Sequence, residues 1–301
     1  NHVNMNIYSF SYLCSIYFFF NLFNGFESIP YSYQLVFAIS LIFTVGIAHG
    51  SIDNYLLKKK YNFSNFKFYT LYLTPVLIYI VMWLLIPKIS FCIFLILSGY
   101  HFGESQFSDY QIESKLKFIF YLSWGSMLVS SLILFNNDEL ISLSKTYNNS
   151  LFLFIYNSFL IKYVFYISTI ISLIILIFLS AFRIITVQDF ITESFHYFLI
   201  LLTFHLFPII ISFTLYFIFI HSFRSLNHEY LYLKSQKIIF SLKDFLFILL
   251  PHTLIAQFFI LFFFTLIALN LINITFFIAA LIIISAITIP HVVVMSTFYN
   301  Q

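Results

Sequence analysis

The stretch LVFAISLIFTVGIAHGSIDNYL (residues 35–56) changes from apolar to polar with no linker or turn cluster between its two parts. The first part has the composition of a membrane-spanning helix. The second part places His49 and Asp53 four residues apart, so on one helix both side chains would share a face and could contact each other or a common ligand. The stretch therefore predicts a membrane helix that ends in a candidate site.

The composition of the whole chain predicts the same class of protein. Of the 301 residues, 61% are hydrophobic and 8% are charged, and the mean hydropathy of +0.98 lies far outside the range of soluble domains. We expect an all-α, polytopic transmembrane helix bundle of about 8–10 spans, with residues 1–301 forming a single integral-membrane domain. The net charge of +3 comes with no basic run, which argues against a nucleic-acid partner.

Ten apolar segments are candidate spans, and the Lys and Arg residues between them predict their orientation. The segments lie near residues 7–23, 34–52, 68–86, 89–107, 117–136, 163–182, 195–208, 209–224, 245–269 and 272–291. With a cytoplasmic N-terminus, the inner loops hold Lys58, Lys59, Lys60, Lys67, Lys115, Lys117, Arg183, Arg224, Lys234, Lys237 and Lys243, against Lys88, Lys145 and Lys162 outside. This excess predicts a cytoplasmic N-terminus.

The predicted orientation places four histidines at a similar depth, where they form a candidate metal site. The second, fourth, eighth and tenth predicted spans all run inwards, and they end at His49, His101, His221 and His291 respectively. Ionisable groups in membrane helices are costly and usually face a bundle interior or a cavity. Four imidazoles at matched depth near the cytoplasmic ends of the spans therefore predict a shared site for a metal such as Fe, Zn, Mn or Cu.

Two acids and two glycines accompany the first two of these histidines. Asp53 follows His49 by four residues and Glu104 follows His101 by three. Each carboxylate is expected to accept the second ring N–H of a metal-binding imidazole, and direct metal binding by either remains an alternative. Gly50 and Gly103 remove a side chain beside each histidine, which lets a ligand or a helix approach closely.

The other histidines have simpler explanations. His2 is terminal, His228 lies in an inner loop and His205 is expected to form a helix contact near the outer face. His196 and His252 begin the inward-facing ends of two predicted spans, and the pattern leaves open whether either contacts a site.

Four short motifs resemble, in their order and membrane setting, the Brp/Blh family of integral-membrane carotenoid oxygenases, the bacteriorhodopsin-related proteins. They are AHGSID (48–53), HFGES (101–105), HSFRS (221–225) and PHVVV (290–294), so the resemblance covers most of the chain. It implies cleavage of β-carotene by O2 at the central 15,15′ double bond to give two retinal molecules. It also implies Fe(II) bound by His49, His101 and His221 as the catalytic ligands, with His291 matching the late motif.

The resemblance further implies a setting for this activity. The carotenoid substrate would enter from the bilayer, among membrane lipids, and the retinal product would pass to a rhodopsin. The location implied is the cytoplasmic (inner) membrane of a bacterium.

One departure from the family pattern concerns the third motif. The family has HSxRH, and this chain has Ser225 at the position of the second histidine, where a hydroxyl is a poor replacement for imidazole on Fe(II). His228 lies three residues further on and is a candidate replacement. Arg224 is either an anchor at the inner membrane face or part of the site.

Two other functions remain open beside carotenoid cleavage. A non-cleaving membrane paralogue that binds carotenoid or metal would account for Ser225. A membrane iron oxygenase acting on another polyene lipid is less favoured, because the HxxxH boxes typical of such enzymes are absent from the sequence.

Overall fold

A computed structural model describes residues 7–25, 29–110, 112, 116–146, 153–156 and 159–299. These residues form α-helices with two π-helical segments, and no strand occurs among them. The helices are α1 (Ile7–Gly25), α2 (Tyr31–Leu41), α3 (Asp53–Tyr61), α4 (Asn65–Leu85), α5 (Pro87–Gln106), α6 (Leu116–Phe135), α7 (Asn137–Thr146), α8 (Leu153–Tyr156), α9 (Phe159–Ala181), α10 (Val187–Leu206), α11 (Ile209–Leu215), α12 (Phe223–Ser235), α13 (Leu242–Ala268) and α14 (Phe276–Tyr299). The π-helical segment Ile42–Gly46 extends α2, and Tyr216–Ser222 joins α11 to α12.

The long helices have the length and composition of membrane spans, as the sequence predicts. Six helices in the described part of the chain meet both criteria: α4, α6, α9, α13, α14 and the continuous helix Ile209–Ser235. The apolar helices Ile7–Phe23 and Tyr31–Gly46 are shorter, whereas α5 and α10 each have 20 residues, enough to cross a bilayer. The chain is a multi-pass, all-α membrane protein, which confirms the predicted fold class.

The helix bounds differ from the prediction where polar residues were interpreted as helix ends. The predicted span 209–224 continues to Ser235, and the last helix runs from Phe276 to Tyr299 instead of ending at His291. His101 lies inside α5, whose bounds agree with the predicted span 89–107, so three of the four motif histidines are within helices. The polar residues that follow them are largely buried in the protein, so they do not mark a transition to water. Residues 153–156 form α8, and residues 151–152 and 157–158 lie outside the described part of the chain.

The helices divide into two compact units, each made of two stretches of chain. Unit 1 comprises Asn1–Ile42 and Gly99–Ser225, and unit 2 comprises Phe43–Ser98 and Leu226–Gln301. In unit 1, α6 packs against α9 and α10, with Trp124 fully buried between aromatic neighbours. In unit 2, α14 packs against α3, α4 and α13. The expectation of a single domain stays a prediction.

Gly99 and Gly103, four residues apart on α5, bring this helix into backbone contact with α6 inside unit 1. A Cβ on Gly103 would lie 2.0 Å from the main-chain oxygen of Tyr121, and one on Gly125 would lie 1.5 Å from that of Gly99. Small residues spaced in this way let membrane helices approach closely. The two glycines fix α5 on both sides of His101. At Gly103, the absent side chain lets a helix approach closely, which is one of the two roles expected from the sequence.

We predict that Gly125→Ala destabilises the protein by about 3 kcal/mol, the upper end of the usual cost of overpacking. The added methyl group would meet the backbone of α5, which cannot rotate away as a side chain can. The measurement is thermal unfolding of the purified protein in detergent. Ser126→Ala, the next residue on α6, is the control and should unfold near the wild-type temperature. Equal stability of the Gly125 variant would contradict the close helix contact.

Candidate metal centre

His49 and His291 form a buried pair in unit 2. His49 lies in the turn that follows the π-helical segment Ile42–Gly46, and His291 lies within α14. Their ring centroids are 4.8 Å apart and the ring planes are nearly perpendicular, at 86°. Gly50 makes room for this arrangement, because a Cβ there would lie 3.3 Å from Nδ1 of His291. The first and last motifs of the sequence thus meet at two imidazole rings.

The hydrogen bonds of this pair determine which ring nitrogens could bind a metal. Nδ1 of His49 donates to the main-chain oxygen of Gly46, an acceptor only. Nδ1 of His291 lies 3.0 and 3.1 Å from the two carboxylate oxygens of Asp53. In a neutral imidazole whose Nδ1 carries the proton, Nε2 has the lone pair. Both rings are therefore set to offer Nε2 to a metal.

Asp53 supports a different histidine from the one that sequence spacing suggests. Residues 49–52 form a turn and α3 begins at Asp53, so His49 and Asp53 do not share a helical face. The carboxylate instead accepts hydrogen bonds from His291 and from the hydroxyl of Tyr72, the latter at 2.9 Å. Tyr72 has no signal in the sequence, because a tyrosine in an apolar helix is usually a packing residue.

His101 and His221 form the corresponding pair in unit 1. Both rings are buried, with centroids 4.9 Å apart and planes at 79°. Phe102 and Phe217 lie against the ring of His221, at centroid distances of 5.0 and 5.5 Å. His221 belongs to the π-helical segment Tyr216–Ser222, and such segments are frequent at functional sites. The second and third motifs therefore meet as the first and last do.

Glu104, the second predicted supporting acid, is also buried in unit 1. Only 1% of its surface is exposed, and its Oε1 accepts a hydrogen bond of 3.3 Å from the hydroxyl of Tyr100. Its predicted role beside His101 stays a prediction.

The residues after His221 occupy distinct environments. Ser225 is fully buried, whereas His228 is half-buried with its ring 6.4 Å from that of Tyr299. Arg224 is buried and forms an ion pair of 2.6 Å with Asp109. This ion pair connects α12 to the loop after α5, and the two predicted roles of Arg224 stay predictions.

A second polar cluster in unit 1 contains His196, whose role the sequence left open, and Glu193, which the sequence analysis did not single out. Glu193 on α10 accepts hydrogen bonds from Gln106 (2.6 Å) and from the hydroxyl of Tyr110 (2.8 Å). Its neighbour His196 contacts Ser9 through Nε2 at 2.6 Å. Burial and the adjacent Glu193 raise the pKa of Tyr110, which therefore stays a hydrogen-bond donor. An acid within an apolar helix is the signal that could have revealed this cluster.

Two further histidines contact neighbouring side chains. His252 lies 3.1 Å from the amide nitrogen of Asn54, next to Asp53 in unit 2. His205 is exposed with its ring 5.6 Å from that of Phe135. The expected role of His205 stays a prediction, while His252 contacts the residue that follows Asp53.

A cavity of about 490 Å³ lies at the C-terminal end of α6, and its lining includes Gln34, Asp138 and Glu139. Tyr121, which contacts α5, is near the opposite end of α6. Glu139 accepts a hydrogen bond of 2.8 Å from the backbone N–H of Ile209, and burial raises the pKa of its carboxyl group. About 20 Å of helix separates Tyr121 from this end of α6. The cavity is therefore distinct from the histidine pair of unit 1.

These features define a class, the multi-pass helical membrane proteins whose interior holds paired histidines together with buried carboxylates. The family model described as beta-carotene 15,15'-dioxygenase matches residues 40–299 of the chain, a range that includes all four motifs. The chain belongs to this family, which confirms the resemblance found in its motifs. No curated protein and no solved structure matches the chain.

We predict that Glu193→Ala destabilises the protein by about 3–5 kcal/mol, the usual cost of removing one member of a buried charged cluster. The change leaves Gln106 and Tyr110 without their acceptor and removes a negative charge that acts on the buried Arg224. Thermal unfolding in detergent measures the effect, with exposed Asp138→Ala as the control. Similar unfolding temperatures for the two variants would show that the cluster contributes little.

Proposed function

We propose that this protein cleaves β-carotene with O2 at the central 15,15′ double bond and releases two molecules of retinal. The observation that carries the proposal is the pair His49 and His291, each held through Nδ1 so that Nε2 is available to a metal. The match to the dioxygenase family across residues 40–299 supplies the chemistry expected of such a site.

The donor set of this pair fits Fe(II), the metal that the family implies. Neutral imidazole is a common iron ligand, and a carboxylate behind the ring fixes its orientation and raises its basicity. Asp53 has that position behind His291, and the main-chain oxygen of Gly46 has it behind His49. We propose that His101 and His221 complete the ligand set, with Glu104 in support. That both pairs serve the same ion rests on the motif pattern and the family.

The reaction places few demands on acid or base groups. Cleaving one C=C bond with O2 gives two C=O groups, so both oxygen atoms enter the products and no proton or external electron is consumed. Fe(II), when bound, supplies the redox chemistry that O2 needs to react with a closed-shell polyene. The protein's own residues then have to hold the ligand geometry and keep the polyene in an apolar environment. Phe102 and Phe217, which lie against His221, provide such a surface.

The expected partners follow from the chemistry of the substrate. β-carotene is a hydrocarbon that partitions into the bilayer, so we propose that it enters between helices from the surrounding lipid. O2 also concentrates in apolar surroundings. We further propose that the protein resides in a bacterial cytoplasmic membrane with its N-terminus inside, and that retinal passes to a rhodopsin.

Ser225 favours one alternative, a paralogue that binds carotenoid or metal without cleaving it. The serine is fully buried where the family has an imidazole, so one expected ligand is missing. Cleavage remains the preferred function because the other motif histidines and Asp53 are present and arranged in pairs.

We expect retinal to accumulate in β-carotene-producing bacteria that express this chain, and to be absent when His49→Ala is expressed. Loss of one imidazole ligand removes the metal and hence the reaction. Chromatography of extracted pigments measures retinal and residual β-carotene. His205→Ala, which changes an exposed histidine, should retain the wild-type yield.

Other outcomes of this assay assign the function differently. Intact β-carotene beside expressed, iron-loaded wild-type protein would exclude cleavage of this substrate and favour the binding paralogue or another polyene. Equal retinal from wild type and His49→Ala would contradict the role of His49 as a ligand.

We predict that Asp53→Asn weakens Fe(II) binding about 10–100-fold, the usual effect of removing a supporting carboxylate. The amide keeps the size of the side chain but loses the charge that polarises His291. Equilibrium metal titration of the purified, iron-free protein measures the affinity, with exposed Asp138→Asn as the matched control. An unchanged affinity would show that Asp53 supports the fold and not the metal.

A further inference from the structure

Glu229 is a buried carboxylate whose role the four motifs leave unassigned. Its relative exposure is 0%, and neither carboxylate oxygen has a hydrogen-bond partner among the described residues. Ionising a buried carboxylate without partners costs several kcal/mol, so such a group is either neutral or paired with a cation. Glu229 is therefore a candidate ligand for a bound cation.

The side chain lies on the face of α12 that packs into the core of unit 2. Leu226 and Leu233, one turn before and after Glu229, belong to one hydrophobic cluster with Ile52, Leu56, Val294 and Met295. Ile52 adjoins Asp53, and Val294 lies one turn after His291. Asp53 also lies near enough to act electrostatically on Glu229, as a like charge when both carboxylates are ionised. Glu229 thus faces the two chain segments that contain His291 and its supporting carboxylate.

The spacing along the helix links Glu229 to the position where the family has its second histidine. His221, Ser225 and Glu229 are successively four residues apart, so they follow one side of the continuous helix Ile209–Ser235. Long side chains in a helix point back towards its N-terminus and cover the preceding turn. The Glu229 carboxylate is therefore directed towards the turn of Ser225, whose own side chain is too short to reach as far as an imidazole.

We propose that Glu229 is a carboxylate ligand of the metal bound by His49 and His291, and that it takes the place of the imidazole missing at Ser225. This inference rests on the proposed function of the same site. Histidine and carboxylate together are a common donor set for non-haem Fe(II). A bound cation also supplies the positive charge that this buried carboxylate requires when it is ionised.

The test measures Fe(II) binding to purified, iron-free protein without reference to turnover. Glu229→Gln keeps the size of the side chain and removes its charge, and we expect at least about tenfold weaker Fe(II) binding. Adding Ser225→His to this variant should restore binding, because it returns an imidazole where the family has one. Glu139→Gln, a partly buried glutamate outside unit 2, is the control and should bind Fe(II) as wild type does.

A structural role for Glu229 gives a different pattern. If Glu229 only occupies space in the core, Gln removes a costly buried charge, the iron-free protein becomes more stable to heat, and Fe(II) affinity does not change. Unchanged affinity in Glu229→Gln would overturn the proposal even where His49→Ala loses iron, a result that leaves the proposed function intact. Unchanged affinity in both variants would overturn the proposed iron site as well. Co(II) titration gives an independent reading, because its visible spectrum changes when a carboxylate ligand is lost.

Discussion

The hydrogen bonds between His291 and Asp53 join chain segments that are 238 residues apart in sequence. Each group offsets part of the cost of burying the other, because a carboxylate or imidazole that leaves water loses the hydrogen bonds of its hydration. Tyr72 on α4, a third segment of the chain, donates a further hydrogen bond to the carboxylate of Asp53. The pairing therefore sets the positions of α3, α4 and α14 relative to one another, and with them the two imidazoles of unit 2.

In unit 1, buried charged groups also have hydrogen-bond and ion-pair partners from distant segments, and these partners are more numerous. Glu193 is surrounded by donors from the end of α5 and the loop that follows it, and Arg224 pairs with Asp109 from that loop. These charged contacts attach the C-terminal end of α5 to α10 and α12, while Gly99 and Gly103 bring α5 into backbone contact with α6. His101 lies between the two glycines. The fixed helix positions His101, and a carboxylate holds the ring of His291.

Hydropathy and motif order predicted the helical membrane fold and the four motif histidines, because both depend on local composition. The extension of the helices beyond Arg224 and His291 was not predictable in this way, since the polar residues there are buried by distant segments. The predicted pairing of Asp53 with His49 was wrong for another reason. Residues 49–52 form a turn, so two residues four apart do not share a helical face there. Glu229 was overlooked because its burial is a tertiary property with no local signature.

The change at Ser225 alters the donor set without disturbing the helix that contains it. His221 keeps its aromatic neighbours, and Arg224, adjacent to the serine, keeps its ion pair with Asp109. A shift of the helix would separate the buried guanidinium of Arg224 from Asp109, its half-exposed partner. The helix is therefore held in the turn that precedes Ser225, and we expect compensation for the missing imidazole to come from a side chain long enough to reach the site, not from movement of the backbone.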